Sequence, residues 1–254
     1  MLIVNNWFGR TGNNILQLIR AIHYAKINNH NNIKFNKHSL LNKCEIIIEL
    51  DTNITINNTS VIDTFFSLKK FDIIDPEPYI MKKYFQKYIK PIYFNYDNKL
   101  LISKDALYIH FRGGDIFSKN PHNAYVQPPL SYYTNIINDY NAIKMVCEDK
   151  NNPCINELLK VDKVEYISNT LKEDLSLLSN ASNVVIGFGT FGFLLYLMNI
   201  NLKNLYIPGY FANELPKGDW GNDIKVHVIN LPNYIKVGDW KNSVEQRQIM
   251  LEYP

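Results

Sequence analysis

The chain has 254 residues, of which 46% are hydrophobic and 20% are charged; this is a globular balance, long enough for one large domain or two small ones. The 27 basic and 24 acidic side chains give a formal net charge of +3, which permits a phosphate-binding patch but excludes the dense basic stripe of a dedicated nucleic-acid binder. The longest apolar run, 184–198, is interrupted by three glycines and a threonine, so no membrane span is predicted.

The start of the sequence and its cysteines bear on the compartment. Residues 1–4 lack a basic leader followed by a cleavable apolar stretch, so they are predicted to form a strand and not a secretory signal. The three cysteines, Cys44, Cys147 and Cys154, cannot form a complete disulfide framework and lack the spacing of a zinc site. We therefore predict a reduced, cytoplasmic protein without a bound metal.

The first hundred residues are predicted to form a small N-terminal lobe. The strand 1–4 is followed by a glycine-containing loop and then by an amphipathic helix, 14–27, whose apolar residues recur at helical spacing. The next part alternates strand-like runs with Asn-rich turns, up to a Pro-rich break. The strand-like runs are 44–50, 54–56 and 60–65, and a helix is predicted over 81–88.

From about residue 100 onward, strands alternate with helices, which predicts a parallel, Rossmann-like sheet. The predicted strands are 106–111, 143–147, 164–167, 184–186, 205–207 and 225–229, and the predicted helices are 130–140, 156–159, 173–181, 191–198 and 243–251. We therefore predict the α/β class with a small lobe at 1–100, a Rossmann-like lobe at 101–235, and a helical segment at 236–254 that packs back.

The segment His110-x-Arg112-Gly113-Gly114-Asp115 follows a predicted strand. Ligands of parallel sheets bind beyond the carboxyl ends of the strands, and strand alternation directs His110 and Arg112 to the same side. A guanidinium at such a place can bind two phosphate oxygens at once. The alternative is an Arg112–Asp115 salt bridge that closes a turn.

A second glycine-rich segment, 187–192, lies between a predicted strand and a predicted helix. Backbone N–H groups at the start of that helix, together with the Thr190 hydroxyl, predict an anion site. Gly187-x-Gly189-x-x-Gly192 also matches the dinucleotide fingerprint, which leaves an NAD(P)-dependent oxidoreductase as an alternative. Against that alternative, the strand is not the first of its unit, and no acidic residue follows about 20 residues later.

A third segment is the opening loop, Gly9-x-x-Gly12-Asn13-Asn14. Its glycines and neighbouring asparagines favour a close approach to a polar ligand. The alternative is a plain strand–helix connector in which Asn13 is the N-cap.

Together the three segments resemble the fucosyltransferase superfamily, the α1,2-, α1,6- and protein O-fucosyltransferases, which have a GT-B-like fold. The segment 9–17 is similar to the family's N-terminal GGLGNQxxQ motif, and 110–115 is similar to its HxRxGD motif. Residues 173–175, followed by 190–191, are similar to its ED-L…STF block, whereas 28–100 match no motif. The resemblance implies two Rossmann-like lobes, with the nucleotide in the C-terminal lobe.

The resemblance also implies a role for each matching residue. Arg112 would hold the β-phosphate of a nucleotide sugar, His110 would lie beside the nucleotide, and Asp174 would accept hydrogen bonds from guanine. The phosphate would also contact the start of the helix, and the sugar would face the opening loop. The residues implied in these last contacts are Gly189, Thr190 and Phe191 for the phosphate and Gly12 and Asn13 for the sugar.

Three departures from the family pattern bear on the identity of the donor sugar more than on the type of reaction. Gly113 stands where the family has a second arginine, 187–189 replaces small polar residues, and 193–195 replaces a pair of tryptophans. The acidic pair at 148–149 is interpreted as a solvated turn and not as a metal-binding DxD motif.

We therefore predict a metal-independent, inverting glycosyltransferase that needs no cofactor. GDP-fucose is the first choice of donor and another GDP- or UDP-sugar the second, and the acceptor is a hydroxyl of a glycan or protein. Arg112 and Asp115 are the predicted catalytic residues, with Asp115 preferred over His122 as the base. The alternatives are an inactive nucleotide- or glycan-binding module and the oxidoreductase.

Overall fold

A computed structural model describes residues 1–50, 59–62, 68–94 and 103–254. The chain divides into two compact units. The N-terminal unit comprises Met1–Asn95, Tyr196–Met198 and Pro216–Gly221, and the C-terminal unit comprises Tyr96–Leu195, Asn199–Leu215 and Asn222–Pro254. The predicted boundary between residues 100 and 101 lies outside the described residues.

The described part of the N-terminal unit contains a four-stranded sheet in the order β3-β2-β1-β4. β1 (Leu2–Val4) pairs in parallel with β2 (Asn32–Phe35) and β4 (Ser60–Ile62), whereas β3 (Glu45–Ile47) pairs antiparallel to β2. The sequence predicted β1, β3 and β4 but missed β2, whose short run lies among asparagines. The predicted strand 54–56 lies outside the described residues.

Helix α1 (Thr11–Ile27) packs on β1 and β2. It starts three residues before the predicted position, and its N-cap is Arg10. The expectation that Asn13 is the N-cap is therefore wrong, because Asn13 is the third residue of the helix. Helix α2 (Pro78–Tyr84) begins at a proline, the residue favoured at the first helical position. A π-helical turn and a 3-10 turn extend it, and a further 3-10 turn precedes it: Phe85–Ile89, Lys90–Ile92 and Leu68–Phe71, respectively.

The C-terminal unit contains a six-stranded sheet in the order β10-β9-β8-β5-β6-β7, and all its pairs are parallel. The chain runs from β5 outward through β6 to β7 and then returns to the other side of β5 as β8. This reversal creates a topological switch point between β5 and β8, the place where open α/β sheets bind ligands. The strands are β5 (Leu107–Phe111), β6 (Ile143–Cys147), β7 (Val164–Ile167), β8 (Asn183–Ile186), β9 (Asn204–Pro208) and β10 (Lys225–Ile229).

The strands nearest the switch point are almost entirely apolar, as expected for strands covered on both faces. Among the described residues, six helices accompany the sheet, and the last of them packs on the first two. A 3-10 turn, Gly114–Phe117, follows β5. The helices are α3 (Leu130–Ile137), α4 (Pro153–Leu158), α5 (Leu171–Leu178), α6 (Thr190–Met198), α7 (Gly209–Ala212) and α8 (Val244–Glu252).

The parallel sheet and its flanking helices confirm the predicted α/β class. The predicted strands of this unit all recur within one or two residues, whereas the helices shift by up to three residues at their ends. In the described ranges, no helix combines the length and the apolar character needed to cross a membrane.

Candidate functional site

The HxRxGD segment and the glycine loop meet at the switch point of the C-terminal sheet. His110 in β5 pairs in register with Ile186 in β8, so the residues that follow these two strands leave the sheet side by side. Arg112 lies two residues after His110, and Gly189 lies three residues after Ile186. Two segments that are far apart in the sequence thus form one site.

The guanidinium of Arg112 packs directly against the backbone of Gly189. Its Nη1 lies 2.6 Å from the point that a Cβ on Gly189 would occupy. Gly189 has a φ of +136° and a ψ of 151°, a conformation that is essentially restricted to glycine. A glycine is therefore required at position 189 both by the backbone conformation and by the arginine.

Tyr125 forms the other side of the guanidinium site. The Cζ atom of Arg112 lies 4.1 Å from the centre of the Tyr125 ring, a cation–π distance. The Tyr125 ring in turn meets Phe188 of the glycine loop edge to face, with 5.9 Å between ring centres. Phe188, which departs from the family pattern, therefore packs against the Tyr125 ring, and that ring packs against the Arg112 guanidinium.

The predicted alternative, a salt bridge between Arg112 and Asp115, is present but long. Nη2 of Arg112 lies 3.5 Å from Oδ1 of Asp115, and the carboxylate side chain is 45% exposed against 13% for the arginine. An ion pair of this length with a solvated carboxylate contributes little free energy. Nε of Arg112 is buried without a hydrogen-bond partner. The guanidinium is thus fixed in place while this donor is not used by the protein.

His110 lies under the same loop as a neutral imidazole. Its ring is 4.6 Å from the ring of Phe191, the second residue of α6. Burial, and secondarily the charge of Arg112, lowers the pKa of His110 from 6.5 to about 3. His110 can therefore donate or accept a hydrogen bond near neutral pH but does not add a second positive charge.

Helix α6 starts with groups suited to an anion. Its N-cap, Gly189, contributes no side-chain hydrogen bond, and its first turn contains no acidic residue. Amide N–H groups at such a terminus and the helix dipole favour negative charge. Thr190 and Phe191 are both partly exposed there, and their contacts with a phosphate stay a prediction.

The other two glycines of the loop make room for side chains of the protein itself. A Cβ on Gly187 would lie 2.5 Å from Oε1 of Gln127, and one on Gly192 would lie 2.9 Å from Cβ of Ile186. Gln127 is fully buried, and its Nε2 donates to the carbonyl of Phe188 at 3.2 Å. Packing of Gln127 therefore accounts for Gly187, whereas the close approach of Gly192 to β8 is also what the third glycine of a dinucleotide fingerprint provides.

Asp149, which is predicted from the sequence to lie in a solvated turn, holds the loop after β5 through hydrogen bonds. Its Oδ2 accepts a hydrogen bond from the N–H of Gly114 at 2.6 Å, and its Oδ1 accepts one from Asn151 at 2.8 Å. A Cβ on Gly113 would lie 2.6 Å from the same carboxylate. In the described part of the chain, no three His, Cys, Asp or Glu side chains are grouped so that they could hold a metal ion.

Asp174 lies in the first turn of α5, beyond the carboxyl end of β7. The helix start is fixed by a capping box between Thr170 and Glu173. Burial raises the pKa of Asp174 from 3.8 to about 6, although hydrogen bonds with Asn169 oppose the shift. Its Oδ1 is buried without a hydrogen-bond partner. This oxygen is therefore an acceptor that the described part of the protein does not use.

The opening loop belongs to the N-terminal unit, where Gly12 and Asn13 are buried in the first turn of α1. Asn14 and Gln17 hold this loop rather than face outward. Nδ2 of Asn14 donates to the Phe8 carbonyl at 2.9 Å, and Nε2 of Gln17 donates to the carbonyl of Asn6 at 2.6 Å. The asparagine and glutamine of the motif therefore fix the backbone of the loop.

Some residues around these sites were missed in the sequence. His38 lies 3.2 Å from Oδ1 of Asn14 through its Nε2, and Gln127 and Asp149 hold the loops of the C-terminal site. No motif marks these three residues. His122, the second-choice base, is exposed, and its Nδ1 accepts the N–H of Ala124 at 3.2 Å.

Comparisons with known proteins do not identify a family for this chain. No protein-family model matches the chain, and no curated protein matches it. Among solved structures, E. coli heptosyltransferase WaaC with ADP aligns over 98% of this chain and 97% of that chain, with 11% sequence identity and a TM-score of 0.41. A likeness at this level carries no inference. The sheets themselves define an α/β protein in which Arg112 and the start of helix α6 lie at a topological switch point.

Proposed function

We propose that the chain is a glycosyltransferase that moves a sugar from a nucleotide diphosphate to a hydroxyl of a glycan or protein. The observation that carries the proposal is the Arg112 guanidinium, fixed against Gly189 at the start of α6. A guanidinium and helix N–H groups converging on one point suit a diphosphate leaving group. Its charge grows as the anomeric bond breaks, and preorganised donors stabilise that charge most.

The transfer follows from the positions of these groups. The acceptor oxygen attacks the anomeric carbon, the bond from that carbon to the phosphate oxygen breaks, and the electron pair leaves with the nucleoside diphosphate. Asp115, partly exposed beside Arg112, takes the proton of the acceptor hydroxyl. A single displacement inverts the anomeric centre. Arg112 and the N–H groups of α6 supply the electrostatic stabilisation that would otherwise need a metal, so the proposed reaction is metal-independent.

Asp174 and the family resemblance support the choice of donor. The unsatisfied Oδ1 of Asp174 suits the N–H donors on the edge of guanine. GDP-fucose is therefore the first choice and another GDP- or UDP-sugar the second. From the family resemblance, Gly12 and Asn13 of the opening loop are proposed as contacts of the donor sugar.

The test combines nucleotide binding with turnover in two arginine variants. Thermal-shift measurements with GDP, UDP, CDP, TDP and NADH identify the nucleotide that stabilises the fold. Arg112→Ala should then lose that stabilisation and lower the transfer rate by about 10²–10³. Arg247→Ala is the matched control, because Arg247 also lies over an aromatic ring, with its Cζ 5.6 Å from the centre of Phe117.

Each other outcome contradicts the proposal in a distinct way. Binding of a nucleotide sugar without transfer or hydrolysis indicates an inactive binding module. Stabilisation by NADH alone indicates an oxidoreductase. Equal effects of the two arginine substitutions on binding remove the role assigned to Arg112.

A further inference from the structure

A cavity of about 560 Å³ opens in the C-terminal unit, lined by residues of α3, by those that follow β10, and by Tyr253. This volume falls within the range of small-molecule sites, about 300–1,000 Å³. The end of β10 and the start of α3 place the cavity at the carboxyl edge of the sheet, the same edge as Arg112. None of the residues assigned to the nucleotide lines it.

The side chains of the wall are uncharged, and Pro254, which also lines the cavity, carries the terminal carboxylate of the chain. None of the described side chains that line the cavity carries a charge. Three exposed asparagines lie at its rim, and the apolar side chains Ile229 and Leu231 lie between them. Diphosphates and other strongly charged ligands would find no counter-ion among these side chains. The rim asparagines are Asn135, Asn230 and Asn233.

One polar atom of the wall is left without a partner. Oγ of Ser131, in the first turn of α3, is buried and makes no hydrogen bond. An unsatisfied buried hydroxyl carries a free-energy cost, which a turn of the Ser131 side chain toward a ligand group in the cavity can remove. An amide offers a donor and an acceptor side by side, and so does a sugar hydroxyl. The asparagines and the serine therefore match a ligand rich in hydroxyl groups.

The wall is also built in advance. The hydroxyl of Tyr253 donates to the carbonyl of Pro232 at 2.7 Å, and its ring lies 5.0 Å from that of Tyr234. Tyr132 lines the cavity as well, and its buried hydroxyl donates to the carbonyl of Ile186 at 3.1 Å. Ile186 directly precedes the glycine loop, so Tyr132 connects the cavity to the backbone beside the candidate phosphate site.

We propose that this cavity binds a neutral glycan, through the asparagine amides, the Ser131 hydroxyl and the aromatic ring of Tyr253. Assignment of that glycan as the acceptor rests on the proposed function, whereas its binding does not. The apolar wall fits the C–H faces of sugar rings, and the amides fit their hydroxyl edges.

The experiment measures glycan binding apart from nucleotide binding. The full-length protein is applied to an array of neutral, sialylated and sulfated oligosaccharides, with and without saturating GDP, and the strongest neutral binder is titrated by calorimetry. Guanosine and uridine are titrated under the same conditions. We expect a neutral oligosaccharide to bind in preference to the anionic glycans and the nucleosides.

Two cavity variants and one control locate the binding. Ser131→Ala should weaken glycan binding about threefold to tenfold, the value of one hydrogen bond, and leave the Tm unchanged or higher because it removes an unsatisfied hydroxyl. Asn135→Ala should weaken binding to a similar extent. Asn138→Ala, at the exposed C-cap of the same helix and outside the cavity, should change nothing.

The inference is overturned if no neutral glycan binds, if nucleosides or anionic glycans bind better, or if both cavity variants bind like the control. Calorimetric binding of GDP to the same variants separates this result from the proposed function. Intact GDP binding with no glycan binding refutes the cavity alone, and intact glycan binding with no nucleotide binding refutes the proposed function alone.

Discussion

The guanidinium of Arg112 occupies the space that a side chain at position 189 would fill, with Nη1 2.6 Å from the missing Cβ. Arg112 and Gly189 are brought together by the pairing of β5 with β8 and not by any sequence proximity. The contact places the one cation of the HxRxGD segment at the start of helix α6.

Substitution Gly189→Ala should therefore cost both stability and ligand binding. The backbone conformation alone should lower the free energy of unfolding by about 1–3 kcal/mol, and displacement of Arg112 should weaken nucleotide diphosphate binding at least tenfold. Urea unfolding and calorimetry measure the two effects. Gly238→Ala is the matched control, because Gly238 also has a positive φ, +103°, but a Cβ there would contact nothing within 4 Å. Equal nucleotide affinities of Gly189→Ala and Gly238→Ala would show that the contact between Arg112 and Gly189 does not contribute to nucleotide binding.

The neutral state of His110 should make the fold acid-sensitive. The folded pKa of about 3 lies below the ordinary 6.5, so below pH 6.5 the unfolded chain binds a proton that the folded chain does not. Stability contributed by neutral His110 is complete above pH 6.5 and is lost as the pH falls toward 3. The expected slope is about 1.4 kcal/mol for each pH unit.

Comparison with His110→Gln isolates this contribution. The difference in the free energy of unfolding between the native protein and the variant should shrink as the pH falls from 6.5 to 4. The pKa values of His23, His30, His38 and His227 are also lowered, chiefly by burial, and they affect both proteins alike. Parallel stability curves would show that His110 titrates normally.

Protonation of Asp174 should weaken nucleotide binding but stabilise the folded protein. Its pKa of about 6 means that the carboxylate is ionised above pH 6 and protonated below. A base that donates hydrogen bonds to the carboxylate should therefore bind more weakly as the pH falls below 6. The raised pKa favours the protonated folded form, so stability falls as the pH rises from 3.8 to 6.

The Asp174→Asn variant should combine lower affinity with higher stability above pH 6. The ratio of GDP affinities between the native protein and this variant is the measurement, because titration of the phosphate itself cancels in the ratio. Glu173→Gln is the control; it weakens the capping box but should leave GDP affinity and its pH dependence unchanged. A ratio that does not vary between pH 5 and 8 would exclude contact of the base with Asp174.

Asp149 should act on the site through the backbone of the loop after β5. Loss of its carboxylate in Asp149→Ala leaves the N–H groups of Gly114 and Asn151 without their acceptor, which should cost about 1–3 kcal/mol of stability and weaken nucleotide binding. Asp149→Asn keeps an acceptor and should recover part of both. If Asp149→Ala and Asp149→Asn bind nucleotide equally well, the hydrogen bonds of Asp149 do not influence Arg112.

Much of the C-terminal unit was predictable because each strand is a short apolar run bounded by turn residues. The runs that became β5, β6 and β8 are each followed by glycine or acidic residues, which mark the carboxyl edge of a parallel sheet. Strand order, by contrast, is not written in any local pattern. The contact between Arg112 and Gly189 depends on that order and could only be seen in the fold.

The errors have physical causes of the same kind. Three consecutive polar positions at Thr11, Gly12 and Asn13 hid the start of α1, since tertiary burial and not propensity extends the helix there. The sequence marks the glycines at 187 and 192, but only the fold shows that they adjoin Gln127 and Ile186. A glycine in a sequence shows that space is needed but not what fills it.

A crystal structure of the protein with bound GDP tests the central claim most directly. The account predicts that the Arg112 guanidinium donates to oxygens of the β-phosphate at about 2.7–2.9 Å, at the start of helix α6, and that its long contact with Asp115 opens. A diphosphate bound elsewhere, with Arg112 still paired to Asp115, would contradict it.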